Sequence, residues 1–252
     1  MDNKSLRKKR IMTFFIDSAD EILKEEGITG VTIRKVANRA GFNSATLYNY
    51  FENLDHLIFF TAMKHIKDYA LALPEYLKDA NNALDKFLTI WKCFCDYSFK
   101  EPEIYYAIFF ANLHNELEDY VEQYYNLFPD ELGAQPDDIS TMLLKHDIYE
   151  RGMTIVNECV DEGFIRKEDA EVLNEMATLV YEGILLRVIK GKINYDEAVR
   201  KTMKYIELIV SSLLISNWLK NLNPQIWGFN KLAIYLYVYT STSWKTFYLY
   251  IL

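Results

Sequence analysis

The sequence has few of the residues that break helices. Nine glycines and five prolines are spread over 252 residues, and long stretches hold neither. This excludes a turn-rich sandwich or barrel and points to helices with short connections. Cysteine is scarce too. Cys93, Cys95 and Cys159 are odd in number and lack zinc or thioredoxin spacing, so free thiols in a reducing cytoplasm are expected rather than a disulfide framework or metal knuckle. The first ten residues are charged, unlike a signal peptide. The net charge of −8 excludes a generally basic nucleic-acid coat. Catalytic signatures are missing as well: no His-Glu-x-x-His, no Gly-x-Ser-x-Gly and no phosphate-binding glycine loop. His146-Asp147 stands alone, and His114 and Glu118 have no further ligands at suitable spacing. No enzyme activity, cofactor or metal site is therefore expected.

What is present is uneven. Half of the residues are hydrophobic, enough for a sizeable core. The first twelve residues hold Lys4, Arg7, Lys8, Lys9 and Arg10 against Asp2 alone, a basic end on an acidic body. A first helix is expected over 5–26, with Ile11, Phe15, Ala19, Ile22 and Leu23 at helical spacing and Gly27 at its end. Its basic opening can reach phosphates, which makes Arg7, Lys8 and Arg10 candidate DNA contacts. Thr32 is a fitting cap for a second helix with Val36, Ala37 and Ala40 on its apolar face. Gly41 supplies a turn, and Asn43 can cap a third helix carrying Ala45 to Tyr50. Small and polar residues at the start of that helix suit insertion into a major groove. Asn53 caps a fourth helix, expected to stop near Leu73 because Pro74 follows.

Beyond it the pattern is helical throughout. Residues 83–99 and 102–112 are rich in apolar and aromatic side chains, and 114–127 are amphipathic. Pro129 to Pro136 is the clearest loop. Long helices are expected over 137–162 and 168–190, and Asn194 can cap a last one over about 195–216.

The run from Gly27 through Gly41-Phe-Asn-Ser-Ala-Thr-Leu-Tyr-Asn-Tyr-Phe51 resembles the TetR/AcrR family of bacterial transcriptional regulators. The resemblance covers about 45 residues and implies an all-α protein. A three-helix helix-turn-helix head at 1–52 would be joined by a fourth helix to a ligand-binding and dimerisation body at 53–216. It implies a homodimer on a double-stranded, near-palindromic DNA operator, with reading helices about 34–36 Å apart. A small-molecule effector in the body would spread the heads and release the DNA. By position, Thr32 and Arg34 would touch phosphates. Asn43, Ser44, Ala45, Thr46, Tyr48, Asn49 and Tyr50 would face the groove or its walls, and Leu47 and Phe51 would hold the reading helix on the core. One departure stands out. Where the family usually has a lysine at the start of the fourth helix, this chain has Leu54, which leaves His56 or the basic end to compensate. With no Arg or Lys in the reading helix, Ser44, Thr46 and Asn49 would read bases, favouring an A·T-leaning operator.

The resemblance also places Trp91, Phe94, Tyr105, Tyr106, Phe109, Phe110, His114, His146 and Tyr149 on helices that surround a ligand. Such a pocket would suit a flat or hydrophobic molecule. It places Leu179, Val180, Gly183, Ile184, Leu186 and Val188 on the dimer face. The alternative for each set is packing inside one subunit.

Residues 217–252 change character: ten aromatics, three lysines and no acid. A membrane anchor from Leu232 is interrupted by Thr240–Ser243 and Lys245. A strand-like extension would use the alternation at 232–239. The favoured reading is a tail foreign to the fold, as a shifted reading frame would give. The function expected is a cytoplasmic, ligand-responsive repressor. Its rivals are a membrane-tethered interaction protein using the tail and a DNA-binding protein without effector.

Overall fold

The computed structural model describes residues 3–110, 117–145 and 147–214. His114, His146 and the tail 217–252 lie outside the described residues. The described chain is helical, with no strand beyond one antiparallel bridge between Ile165 and Leu214. Among the described residues no helix is long and apolar enough to cross a membrane.

Three helices make the head: α1 (Asn3–Glu26), α2 (Ile33–Arg39) and α3 (Ser44–Leu47). Their core is aromatic and centres on Phe15. Its ring lies 5.1 Å from Phe42, 6.1 Å from Tyr50 and 6.2 Å from Phe51, centre to centre. The basic stretch Lys4–Arg10 forms the first turns of α1 and is not a loose arm. The third helix is shorter than its sequence suggests. Regular helix ends at Leu47, and the amides of Asn49 and Tyr50 bond three residues back, to Thr46 and Leu47, the tightening common at helix ends.

The long α4 (Leu54–Leu77) leaves the head, packs on α1 and becomes a wall of the body. It runs through Pro74 instead of stopping before it. Proline cannot donate to the carbonyl four residues earlier, that of Ala70. Gln135 Nε2 donates to that carbonyl at 2.7 Å and to Leu132 O at 3.1 Å. A side chain from a distant loop thus replaces the missing amide, and the helix continues.

The body contains α5 (Ala83–Ser98), α6 (Pro102–Phe109), α7 (Leu117–Leu127), α8 (Asp137–Leu144), α9 (Ile148–Asp161), α10 (Ala170–Ile189) and α11 (Tyr195–Leu213). The buried α5 sits among α4, α9 and α11, and α10 lies against α6, α9 and α11. The three thiols are free and buried. The single helix expected over 137–162 is two helices. Asp147 Oδ1 accepts from the amides of Tyr149 and Glu150 and starts α9 afresh. Arg151 donates to the carbonyls of Leu143 and Lys145, which close α8. Sequence periodicity did not register this break because both halves keep one apolar face: Ile139, Met142 and Leu143, then Ile148, Ile155 and Val156. Next to it, α9 and α10 approach closely at Gly152. A Cβ there would fall 2.0 Å from Asn174 Oδ1, and Asn174 Nδ2 donates to Tyr149 O at 2.8 Å.

Replacing Gln135 with alanine should cost about 1–2 kcal/mol, the usual penalty of an orphaned buried carbonyl. In a Pro74→Ala background the backbone supplies its own donor, and the cost should shrink. Urea unfolding of the four proteins checks both statements; an equal cost in both backgrounds would refute the replacement role of Gln135.

Candidate nucleic-acid interface

The helix-turn-helix is built by its turn. Gly41 has φ of 77°, a conformation that glycine alone adopts cheaply. Phe42 N–H donates to Ala37 O at 2.8 Å and Gly41 N–H to Asn38 O at 3.1 Å. This double closure ends α2 and drops Phe42 onto Phe15. Asn43 then starts α3: its Oδ1 accepts Thr46 N–H at 2.8 Å and Thr46 Oγ1–H at 3.0 Å. Leu47 and Phe51 are buried, as the family pattern implied.

The cap limits which polar groups of α3 are free. The side-chain carbonyl of Asn43 and the hydroxyl proton of Thr46 are engaged with each other. Ala45, Tyr48 and Asn49 are exposed, Tyr48 by 56 %. Ser44, Thr46 and Tyr50 are half-buried, and the Tyr50 ring belongs partly to the head core. Thr32 is exposed and caps α2 by accepting Lys35 N–H at 3.3 Å. Two cations of α2 are matched by acids of α1: Lys35 with Glu26 at 2.5 Å, and Arg39 with Glu25 at 2.7 Å. Arg34 is exposed and has no acidic partner among the described residues. Arg7, Lys8 and Arg10 are exposed, whereas the Lys9 ammonium lies 5.0 Å over the Phe128 ring and faces the body.

His56 does not replace the missing lysine. It is 2 % exposed, and its ring stacks on Tyr120 at 4.0 Å. Its Nδ1 accepts Glu52 N–H at 3.3 Å. Burial pushes its pKa down to about 4, further than the nearby Glu52 charge can offset. A neutral, enclosed ring cannot anchor phosphate.

The head is tied to the body through His65 on α4. Its Nε2 lies 2.9 Å from Asp20 Oδ1 on α1, and its Nδ1 lies 2.9 Å from Glu101 Oε2, just before α6. Two ring nitrogens facing two carboxylates must both donate, so this geometry holds the imidazolium. Burial alone would lower the pKa of His65, but the hydrogen bond it donates to Glu101 and the charges of Glu101 and Asp20 outweigh it and raise it. Lys64 adds contacts to Asp17 at 2.7 Å and Asp20 at 3.0 Å, and Lys24 reaches Asp20 at 3.0 Å. Burial would raise the Asp20 carboxyl, but the hydrogen bonds of Lys24 and Lys64 hold it below its usual value. Beside Glu101, a cavity of about 330 Å³ opens between head and body, walled by Leu23, Ile28, Ile58, Ala62, Ile104 and Val188.

The aromatic residues of the body converge on buried Tyr181. The ring centres of Phe94, Trp91 and Phe110 lie 5.0, 5.6 and 6.0 Å from it. Tyr105 and Phe109 join through Phe94 at 5.5 and 5.4 Å, and Tyr106 stacks on Phe110 at 5.8 Å. Tyr149 is half-buried at the start of α9. These rings are packed together; the cavity left beside Trp91, Phe94 and Arg151 is about 40 Å³.

Residues 15–59 match the family model of the bacterial regulatory proteins of the tetR family. That stretch is similar to the head of the tetR family. Solved structures extend the likeness in fold to the body. FadR of Thermus thermophilus, a TetR-family transcriptional repressor in complex with lauroyl-CoA, is 12 % identical with a TM-score of 0.53, over 84 % of this chain and 97 % of that one. A protein of unknown function from Rhodococcus sp. RHA1 is 18 % identical with a TM-score of 0.55, over 81 % and 96 %. A TetR transcription regulator from Haloarcula marismortui is 13 % identical with a TM-score of 0.53, over 82 % and 99 %. No curated protein sequence matches significantly. The chain thus has the fold of a TetR-family transcriptional regulator.

On the body, Leu179 and Gly183 are exposed, and they continue a stripe with Val172 and Met176 along α10; Tyr205 and Leu208 are exposed on α11. Val180, Leu186 and Val188 are half-buried. Ile184 is 6 % exposed and packs inside its own subunit. Sequence reasoning missed His65, Asp20 and Glu101 because they lie on three elements far apart in sequence. It missed Arg151 because a lone arginine in an amphipathic helix reads as a solvated one.

The two histidines set opposite pH dependences. The stabilisation from His65 is complete below its unfolded value near 6.5 and is lost as pH rises through its raised folded value. His56 is held neutral, so its environment favours folding above about 6.5 and loses that advantage as pH falls towards about 4. Unfolding free energy measured against pH should decline on both sides, and His65→Gln should flatten the alkaline side only. An unchanged alkaline limb in that variant would contradict the charged bridge.

Proposed function

We propose that the chain is a ligand-responsive, homodimeric DNA-binding regulator, a repressor that leaves a near-palindromic operator when a hydrophobic or aromatic molecule enters its body. The observation that carries this reading is the exposed face of the helix-turn-helix, standing on a helix that is also a wall of the body. Arg7, Lys8, Arg10, Thr32 and Arg34 grip phosphates and set register, and none of them specifies sequence. Asn49 and Ser44 supply polar contacts to base edges. Ala45, the Thr46 methyl and the ring of Tyr48 supply apolar ones, which favours thymine-containing half-sites. The exposed stripe on α10 and α11 supports a two-fold dimer, since a contiguous apolar patch is costly in water.

The effector parts the ring cluster around Tyr181. Entry displaces α6, which packs on α4 and on α10. Because Glu101 immediately precedes α6, displacement loosens the His65 bridge and frees the head to turn, with the cavity at the junction giving it room. A ligand preferring the turned arrangement lowers operator affinity by its difference in affinity for the two. The complex of the Thermus thermophilus neighbour with lauroyl-CoA supports an effector with apolar character.

Operator selection on the purified dimer tests the DNA half. Alanine at Arg7, Lys8 and Arg10 should weaken binding to all sequences alike and lower the salt slope by about one for each phosphate no longer neutralised. Asn49→Ala should relax the choice of base at one position by about 1–3 kcal/mol. Normal binding by the triple variant, unaltered selectivity of Asn49→Ala, or selection of only G·C-rich half-sites would overturn the assigned roles.

A further inference from the structure

Among the described residues, the buried charge of Arg151 is incompletely accounted for. It is 6 % exposed, in a body otherwise lined with rings. A guanidinium this deep is ordinarily matched by a carboxylate. Among the described residues Arg151 has no ion pair. Its Nε donates to Lys145 O at 2.6 Å and its Nη2 to Leu143 O at 2.9 Å, and both carbonyls belong to the end of α8. Its Nη1 has no hydrogen-bond partner. Asp147 uses Oδ1 to cap α9, and the adjacent Glu150 faces Lys145 at 3.8 Å. The groups around the guanidinium are the Phe109 ring at 5.0 Å and the side chains of Tyr69, Tyr105 and Tyr125, with the Asp147 carboxylate acting on it through space and not by a hydrogen bond. Capping α8 accounts for two nitrogens. It does not account for a third, bare one beside a cavity walled by Trp91, Phe94 and Ile155.

We infer that this cavity receives a ligand bearing a carboxylate on an apolar or aromatic frame, with Arg151 Nη1 as the donor that selects it. The frame lies against Trp91 and Phe94, and the charge meets a guanidinium already fixed by two backbone carbonyls. A fixed, desolvated donor needs little ordering on binding, and a neutral hydroxyl there accepts the hydrogen bond without the charge that strengthens it. The empty space of about 40 Å³ holds no more than a few waters, so the ligand enters by moving Phe109 off the guanidinium. That displaces α6 at the end opposite Glu101. The inference rests on the effector reading of the body for its biological meaning, but binding is measured without DNA, so either can fail alone.

The test uses the full chain and matched probes: 3-phenylpropionate with 3-phenylpropanol, octanoate with octanol, and dodecanoate with dodecanol. Calorimetry and thermal melting should find at least one carboxylate bound about tenfold or more tighter than its alcohol, the discrimination expected of a site built around a polar partner. Arg151→Gln should abolish that preference. Because Arg151 also closes α8, a second variant is needed: Ile155→Phe fills the cavity with the arginine intact and should abolish binding. Alcohols bound as tightly as their acids, a preference surviving Arg151→Gln, binding surviving Ile155→Phe, or no member of the series binding would each overturn the inference. Carboxylate binding without operator release would sustain it and remove the release mechanism instead.

Discussion

One imidazolium holds three parts of the molecule in register. His65 on α4 stands between Asp20 of the head and Glu101 at the threshold of α6, each at 2.9 Å. Burying charge is costly unless every charge is met. Here three cations, Lys24, Lys64 and His65, face three carboxylates, Asp17, Asp20 and Glu101. The cluster is satisfied only while α1, α4 and the α5–α6 turn keep their relative positions. Separating any one leaves a partly buried charge without its partner. That makes the head–body angle a property with a restoring force, not a free hinge.

The rest of the architecture feeds that joint from both sides. On the head side, Phe15 gathers Phe42, Tyr50 and Phe51, so α1, which also bears Asp20, holds the helix-turn-helix as one unit. On the body side, α6 carries Tyr105 and Phe109 into the ring cluster and begins next to Glu101. The path from the Arg151 cavity to the exposed face of the helix-turn-helix is therefore a sequence of direct contacts. Phe109 lies over the guanidinium, α6 follows it, and Glu101, His65 and Asp20 come next. Packed helices shift as units between discrete arrangements, so a small displacement at the ring cluster is not absorbed locally.

Much of this was legible in the sequence, for local reasons. Thr32, Asn43, Asn53 and Asn194 cap the helices they precede, because capping needs one side-chain oxygen at one offset. The turn at Gly41 follows from the same short-range logic, whereas the burial of Leu47 and Phe51 was what the family resemblance implied. The misjudged features were decided at long range. Pro74 did not end α4, because Gln135 arrives from a distant loop to bond Ala70 O. The helix over 137–162 broke because Arg151 can satisfy the carbonyls of α8 from the next helix. The aromatics foreseen as pocket walls do gather, yet they fill the space themselves, since composition counts rings but not the room between them.

The most direct test of this account alters the body side of the joint and reads the head. Glu101→Gln removes one carboxylate from His65 and touches no residue of the helix-turn-helix. Operator affinity of this variant, measured with its dimer content and folding midpoint, should fall by about fivefold or more, the lower range of coupling between distinct sites. Operator affinity equal to that of the unaltered chain, with the variant folded and dimeric, would contradict the claim that His65 carries the position of the head.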